Sequence, residues 1–239
     1  FAEFLATKFF VAFSIAGVIN AEEVFQQSPG ALHAFILLYH IVLIIIVIYA
    51  FGAASGSHFN PAVSFGTLCA QRITVLRFIF YVIAQMGGSI VGAAIMQAVF
   101  PDSMENGLTV PHKGPGVSDA QAFLMELYCT MGLVFGAFAI AFDPRGWGKL
   151  GPLAVGVIVA INLHAGGRIS GAAMNPVRAW GPAVATANFD DQWIYWGAGM
   201  AGGMLGGVSY EYVFMDRKCA RPHNVPSTQG DATCDRKNC

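Results

Sequence analysis

Charged residues are scarce in this chain, because Asp, Glu, Lys and Arg make up only 11% of its 239 residues. An ordinary soluble domain has roughly 25%. Apolar residues make up 55%, so a soluble globular fold is disfavoured. The net charge of −1 lacks the basic excess that nucleic-acid binding requires, and no nucleic-acid partner is expected. The composition instead predicts a multi-pass membrane protein in contact with lipid.

Cysteine is also sparse, and the five cysteines show no paired framework. Three of them lie in the polar segment 217–239, together with one histidine. Their spacing does not match the tight pattern of a zinc site. The sequence therefore predicts neither a disulfide scaffold nor a metal site.

Six long apolar segments are present instead, separated by loops rich in Pro, Gly or charge. They predict helices at residues 3–21, 34–51, 75–100, 120–142, 150–165 and 193–215. As a helix, the second segment would rise ~27 Å, close to the ~30 Å thickness of the hydrocarbon core. We expect one transmembrane domain over residues 1–216, followed by a disordered polar tail at 217–239.

A twelve-residue stretch that occurs twice organises the rest of the chain. Residues 55–66 read SGSHFNPAVSFG, and residues 170–181 read SGAAMNPVRAWG. Asn is a favoured helix N-cap, and Pro is favoured at the first helical position. Each copy therefore predicts a short helix that begins inside the membrane, at Asn60 and at Asn175.

The repeat extends beyond these two boxes. Glu3 is followed four residues later by Thr7, and Glu126 is followed by Thr130 at the matching place. Three spans per half, over about 1–100 and 120–216, mean that the second half enters the membrane from the opposite side. The predicted fold is an all-α membrane protein with six transmembrane helices and two re-entrant half-helices in an inverted repeat.

The distribution of basic residues predicts that both termini are cytosolic. With that orientation, the loops and tail on the cytosolic side contain Arg72, Arg77, Arg145, Lys149, Arg217, Lys218 and Arg221. The other side contains only Lys113, Arg168 and Arg178. The bias does not distinguish the plasma membrane from a vacuolar or other organelle membrane.

With these motifs, and with residues 107–111, 165–171 and 175–183, the chain resembles the aquaporin family (major intrinsic proteins) from about residue 1 to residue 216. Within the family it is most similar to the tonoplast-intrinsic, water- and ammonia-conducting branch and its animal relatives. The resemblance implies a passive channel for water, with ammonia as a second solute and urea or hydrogen peroxide as further ones. It also implies exclusion of protons and ions, a homotetramer with one pore per subunit, no cofactor and no enzymatic activity.

The resemblance places Asn60 and Asn175 at the pore centre and a selectivity filter at His40, Leu163, Ala172 and Arg178. Arg178 lies three residues after Asn175 and so shares its helix face, and a charge at that depth is a functional hypothesis. Two alternatives stay open here. His40 could be a core histidine bonded to a backbone carbonyl, and His164 could face the pore in place of Leu163.

Three further residues receive roles from the same comparison. His112 lies in the long loop, where a histidine reaches the filter arginine in ammonia-conducting relatives, although a solvated loop histidine is equally compatible. Glu3 and Glu126 are expected to accept N–H bonds from the two Asn-Pro loops, with a proton relay as the alternative.

Two other functions fit parts of the sequence. Inverted repeats and broken helices also build ion-coupled secondary transporters, and Glu3, Lys8 and His40 are ionisable. A junction-forming structural membrane protein with a nearly closed pore is the second alternative.

Overall fold

The computed structural model describes residues 1–105, 109–146 and 148–215, and these consist of helices and connecting loops without a β-strand. The segment 217–239, for which the sequence predicts disorder, lies outside the described residues. The all-helical prediction is confirmed.

Six long helices form a bundle, and short helices enter it or connect its members. In chain order the helices are α1 Ala2–Phe25, α2 Pro29–Ser55, α3 Pro61–Cys69, α4 Val75–Val99, α5 Pro101–Glu105, α6 Asp119–Ala137, α7 Gly151–Ser170, α8 Pro176–Thr186 and α9 Gln192–Ser209. Two π-helical turns, Phe138–Phe142 and Tyr210–Phe214, extend α6 and α9.

Within the described residues, five segments are long and apolar enough to cross a membrane. They are Ala2–Phe25, Pro29–Ser55, Val75–Val99, Asp119–Phe142 and Gly148–Ser170. The sixth predicted span corresponds to α9 and its π-helical extension. Helix α9 is rich in glycine, which lowers its hydropathy, but it packs closely against α6 and α3 as a member of the bundle.

The two halves use the same close helix crossing, α1 against α4 and α6 against α9. A Cβ atom at Gly88 would collide with the carbonyl oxygen of Phe4, and one at Gly202 would collide with that of Leu127. Small residues let backbones approach in this way where no water separates the helices.

The backbone itself repeats at the two loops that lead to the half-helices. Gly56 ends α2 at φ 86°, and Gly171 ends α7 at φ 81°, a left-handed cap that favours glycine. Non-glycine residues with positive φ follow at matching places, namely Ser57, Phe59, Ala172 and Met174. The inverted repeat predicted from the sequence is therefore present down to individual backbone angles.

Candidate functional site

Each half-helix begins at an asparagine that caps it. The Asn60 Oδ1 accepts from the backbone N–H of Ala62 at 2.9 Å, and the Asn175 Oδ1 accepts from that of Val177 at 3.1 Å. Both asparagines are buried and both have extended backbone. The partial positive charge of each helix N-terminus is therefore located at its asparagine.

The two asparagines also connect the halves. Asn60 Nδ2 donates to the carbonyl oxygen of Met174 at 2.8 Å, and Asn175 Nδ2 donates to that of Phe59 at 2.9 Å. A side-chain amide nitrogen carries two N–H groups. One N–H of each asparagine therefore has no bonding partner among the residues that the structure describes.

The Glu3 carboxylate supports the first loop. Its Oε1 accepts from the Ser55 hydroxyl at 2.6 Å and from the His58 backbone N–H at 2.9 Å. Its Oε2 accepts from the Phe59 backbone N–H and from the Gln85 side chain, both at 2.7 Å. The irregular backbone of this loop thus finds hydrogen-bond acceptors in a buried part of the bundle.

Glu126 supports the second loop in the same way. Its Oε1 accepts from the Ser170 hydroxyl and the Ala173 backbone N–H, both at 2.8 Å, and its Oε2 accepts from the Met174 backbone N–H at 2.9 Å. Every one of these partners is a donor. This favours an ionised, structural carboxylate over the proton relay that the sequence left open.

Two cavities meet beside the asparagines. We name them the Asp143 cavity, of about 420 Å³, and the Thr109 cavity, of about 370 Å³. Asn60 and Asn175 line the Asp143 cavity. Four residues line both cavities and so mark the junction between them, namely Phe10, Val159, Ala173 and Met174. The two cavities are therefore adjacent, and we call the two together the path.

The Thr109 cavity brings together the residues for which the sequence predicts a filter. Its lining includes His40, Leu163, Ala172 and Arg178, which come from α2, α7, the second loop and α8. His112 lines the same cavity. Residues that are separated by more than 130 positions therefore face one space.

The structure distinguishes Leu163 from its neighbour His164. Leu163 lines the Thr109 cavity, whereas the exposed His164 turns toward α2. There its Nδ1 lies 2.8 Å from the Nε2 of His33. The register that places Leu163 at the cavity is therefore the observed one.

Arg178 is held by two groups that the sequence analysis did not include. Its Nε donates to the Ser14 hydroxyl at 2.8 Å, and an Nη donates to the Thr109 carbonyl oxygen at 2.9 Å. A backbone carbonyl carries no side-chain signal. Ser14 is one small residue among many in an apolar helix, so neither contact was visible in the sequence.

The two histidines of the cavity each lie within hydrogen-bond distance of a backbone carbonyl oxygen. The ring nitrogens of His40 lie 2.8 Å from the Ile36 carbonyl oxygen and 2.9 Å from the Ser14 hydroxyl, so His40 has the backbone bond of the open alternative and also lines the cavity. His112 Nδ1 lies 3.0 Å from the Val110 carbonyl oxygen. The Thr109 carbonyl, and not His112, contacts Arg178.

The loop at the mouth of the Asp143 cavity is fastened by a buried carboxylate. Asp143 accepts from the Arg145 guanidinium at 2.6 Å and from the Tyr210 hydroxyl at 2.8 Å. The hydrogen bonds from Arg145 lower the pKa of Asp143 to about 2. Arg145 also donates to the Phe214 carbonyl at 2.7 Å, which ties this loop to the end of α9.

The described residues contain no cluster of three or more His, Cys, Asp or Glu side chains suited to a metal ion. The polar donors of the path are instead amide and guanidinium N–H groups. Such a set can bind a small neutral molecule through a lone pair.

Comparison with known proteins agrees with this architecture. The chain is 35% identical to the lens fiber major intrinsic protein of Lithobates pipiens, over 98% of this chain and 91% of that protein. It is 38% identical to "Probable aquaporin TIP2-2" of Oryza sativa subsp. japonica, over 90% of this chain and 86% of that protein. The structure superposes on the aquaglyceroporin from Plasmodium falciparum with a TM-score of 0.73, at 23% identity over 89% of this chain and 94% of that one. This last likeness concerns the fold.

The sequence profile of the family "Major intrinsic protein" matches residues 1–210. The match covers both halves of the inverted repeat, the two Asn-Pro loops and the two cavities. The chain therefore belongs to the major intrinsic protein family, the family of the aquaporins.

Proposed function

We propose that this chain is a passive channel for water, with ammonia as a second solute, and that it excludes protons and ions. The observation that carries the proposal is the crossed pair of asparagines, which line the Asp143 cavity beside its junction with the Thr109 cavity. Each donates one N–H to the opposite half and keeps a second N–H for a molecule in the path. A passing water accepts these bonds through its oxygen.

Exclusion of cations follows from the charges along the path. The N-termini of α3 and α8 meet at Asn60 and Asn175, and each contributes a partial positive charge. Arg178 adds a full charge in the Thr109 cavity. Pore width, wall donors, an arginine and half-helix dipoles are the accepted determinants of aquaporin selectivity.

The lining of the Thr109 cavity supports ammonia as a second solute. Of the five N–H groups of Arg178, two bond to Ser14 and Thr109, and the remaining three are donors for a lone pair. Leu163 offers neither donor nor acceptor, and Ala172 is small. Such a wall discriminates little between water and ammonia, since both accept from the same N–H groups.

The exposed surface supports a membrane location and contacts between subunits. The outer faces of α2 and α7 carry a series of exposed apolar side chains, namely Leu38, Val42, Ile46, Val157 and Ile161. Lipid or neighbouring subunits of a homotetramer would cover them. The basic residues Arg72, Arg145 and Lys149 lie at the Asp143 end, which we assign to the cytosol together with both termini.

The test is stopped-flow shrinkage of proteoliposomes, run in parallel with ammonia-driven alkalinisation of the vesicle interior. We expect both fluxes to exceed those of protein-free vesicles and to be independent of imposed ion gradients. Ala173→Trp would place a large ring at the junction of the cavities and abolish both fluxes. Ala120→Trp, at the exposed start of α6, is the matched control.

Other outcomes identify the other candidates. Solute flux that requires an ion gradient would show a coupled transporter. Little water flux together with ordered arrays in the membrane would show a junction protein. A voltage-dependent proton current in planar bilayers, above that of protein-free membranes, would refute the exclusion of protons.

A further inference from the structure

Ser14 connects the two polar walls of the Thr109 cavity. Its hydroxyl oxygen lies 2.8 Å from Arg178 Nε on α8 and 2.9 Å from His40 Nε2 on α2. Ser14 itself lies on α1 and is fully buried. Three helices therefore meet at one hydroxyl group.

Three hydrogen bonds connect Ile36, His40, Ser14 and Arg178 in series, and the chemistry of these groups determines which atom donates in each. The Arg178 Nε can only donate, so the Ser14 oxygen accepts there. The Ile36 carbonyl oxygen can only accept, so the proton of His40 is on Nδ1, 2.8 Å away. A neutral His40 carries only this one ring proton, so its Nε2 is an acceptor and the Ser14 O–H donates to it. All donors and acceptors match when His40 is neutral with its proton on Nδ1.

We infer that Ser14 is a positioning residue of the filter. It fixes the orientation of Arg178 and the tautomer of His40, and through them it sets which neutral solutes pass. This inference rests on the proposed channel function, because it concerns the selectivity of that same path. It assigns to α1 a part in the filter that none of the four predicted filter residues provides.

Two consequences for the path follow from the bridge. Both ring nitrogens of His40 are occupied by protein groups, so the solute meets the carbon edge of the ring and no hydrogen-bonding nitrogen. Arg178 is held at Nε by Ser14 and at an Nη by Thr109, and these two bonds restrict rotation of its guanidinium plane. Its remaining N–H groups then face the cavity in one fixed arrangement.

Ser14→Ala deletes the bridge without adding volume. Arg178 would retain only the Thr109 contact. Its side chain would then adopt a wider range of orientations, which would make the constriction less narrow. We expect the ratio of urea to water permeability in proteoliposomes to rise about fivefold, the factor that one net hydrogen bond contributes. Ser14→Thr keeps the hydroxyl and should restore a ratio near that of the wild type.

Thr7→Val is the matched control on the same helix. Thr7 is fully buried, and its hydroxyl has no bonding partner among the described residues. The control should leave the permeability ratio unchanged. An unchanged ratio in Ser14→Ala, or an equal change in Thr7→Val, would overturn the inference, because the effect would then be absent or due to packing of α1.

A second measurement is independent of transport. Solid-state ¹⁵N spectra should show His40 with a protonated Nδ1 and an accepting Nε2, with the resonances assigned by their loss in His40→Phe. In Ser14→Ala the Nε2 resonance should shift toward that of an unbonded imidazole nitrogen. An identical His40 spectrum would refute the bridge. If the wild type conducts no water, the proposed function fails, and the spectrum still decides on the bridge.

Discussion

Glu3 and Phe59 are 56 positions apart in the chain, and a hydrogen bond of 2.7 Å joins the carboxylate of the first to the backbone N–H of the second. Glu126 and Met174 form the equivalent bond at 2.9 Å in the other half. Each carboxylate thus holds the residue that precedes an asparagine. The placement of the two asparagines depends on these two acids.

Glu3→Gln and Glu126→Gln are expected to destabilise the protein. The new NH₂ group would face backbone N–H donors, and hydrogen bonds to a charged group contribute about 1.5–3 kcal/mol each. Glu3→Gln should have the larger effect, because Glu3 accepts four hydrogen bonds and Glu126 accepts three. Thermal unfolding in detergent and water permeability per folded protein measure the effect. Full stability of both variants would contradict this account of the loops.

His40→Phe should lower water and ammonia permeability by similar factors. The variant narrows the cavity with a larger ring, but it removes no hydrogen-bonding nitrogen that a solute can reach, since both are occupied by Ile36 and Ser14. Both fluxes should be measured in the same vesicles. A selective loss of ammonia flux would mean that His40 contacts the solute directly.

Mercurials should inhibit the wild type only weakly. Of the two cysteines within the described ranges, Cys129 is buried and Cys69 is partly buried, and neither lines either cavity. Ala172 does line the Thr109 cavity, so Ala172→Cys should create a strong block that a thiol reverses. Removing Cys129 in that background should leave the block intact. Complete inhibition of the unmodified protein would place a cysteine in the path.

Asp143→Asn should lower the free energy of unfolding at neutral pH by about 1 kcal/mol, because the variant loses the charge-assisted hydrogen bonds from Arg145 and because the half-exposed Arg145 side chain leaves this ion pair partly screened by water. The pKa of Asp143 is depressed in the folded protein, so its contribution is present above the ordinary carboxyl range and disappears as the pH falls toward about 2. Thermal unfolding of both proteins at pH 7 and near pH 2 should therefore differ at the first pH and converge at the second.

The control for that experiment is Asp102→Asn, at an exposed position in α5. It removes the same charge from the surface, and we expect a change within about 0.5 kcal/mol. A difference between Asp143→Asn and the wild type that persists at low pH would indicate lost packing and not lost charge.

The sequence predicted the fold because the decisive signals are local. Two Asn-Pro boxes, apolar segments and matched Glu residues identify the inverted repeat without any knowledge of packing. The helix ends were predicted less accurately than the helices themselves. The second span was predicted at 34–51, whereas α2 is Pro29–Ser55, because hydropathy marks only the hydrocarbon part of a helix.

The features of the site that the sequence did not predict depend on contacts between residues that are distant in the chain. Leu163 and His164 are adjacent, and only the packing of α7 against α2 determines which of them faces the cavity. The contact of Ser14 with Arg178 joins residues 164 positions apart. The Thr109 carbonyl belongs to the backbone, so no residue pattern could reveal it.

The crossed hydrogen bonds of Asn60 and Asn175 also describe how such a molecule is assembled. Neither half supplies the carbonyl that its own asparagine needs, since one lies at Met174 and the other at Phe59. A three-span unit could form both bonds only with a second copy inserted upside down, about a twofold axis in the plane of the bilayer. In this geometry the chain is a fused antiparallel dimer, each half completing the other.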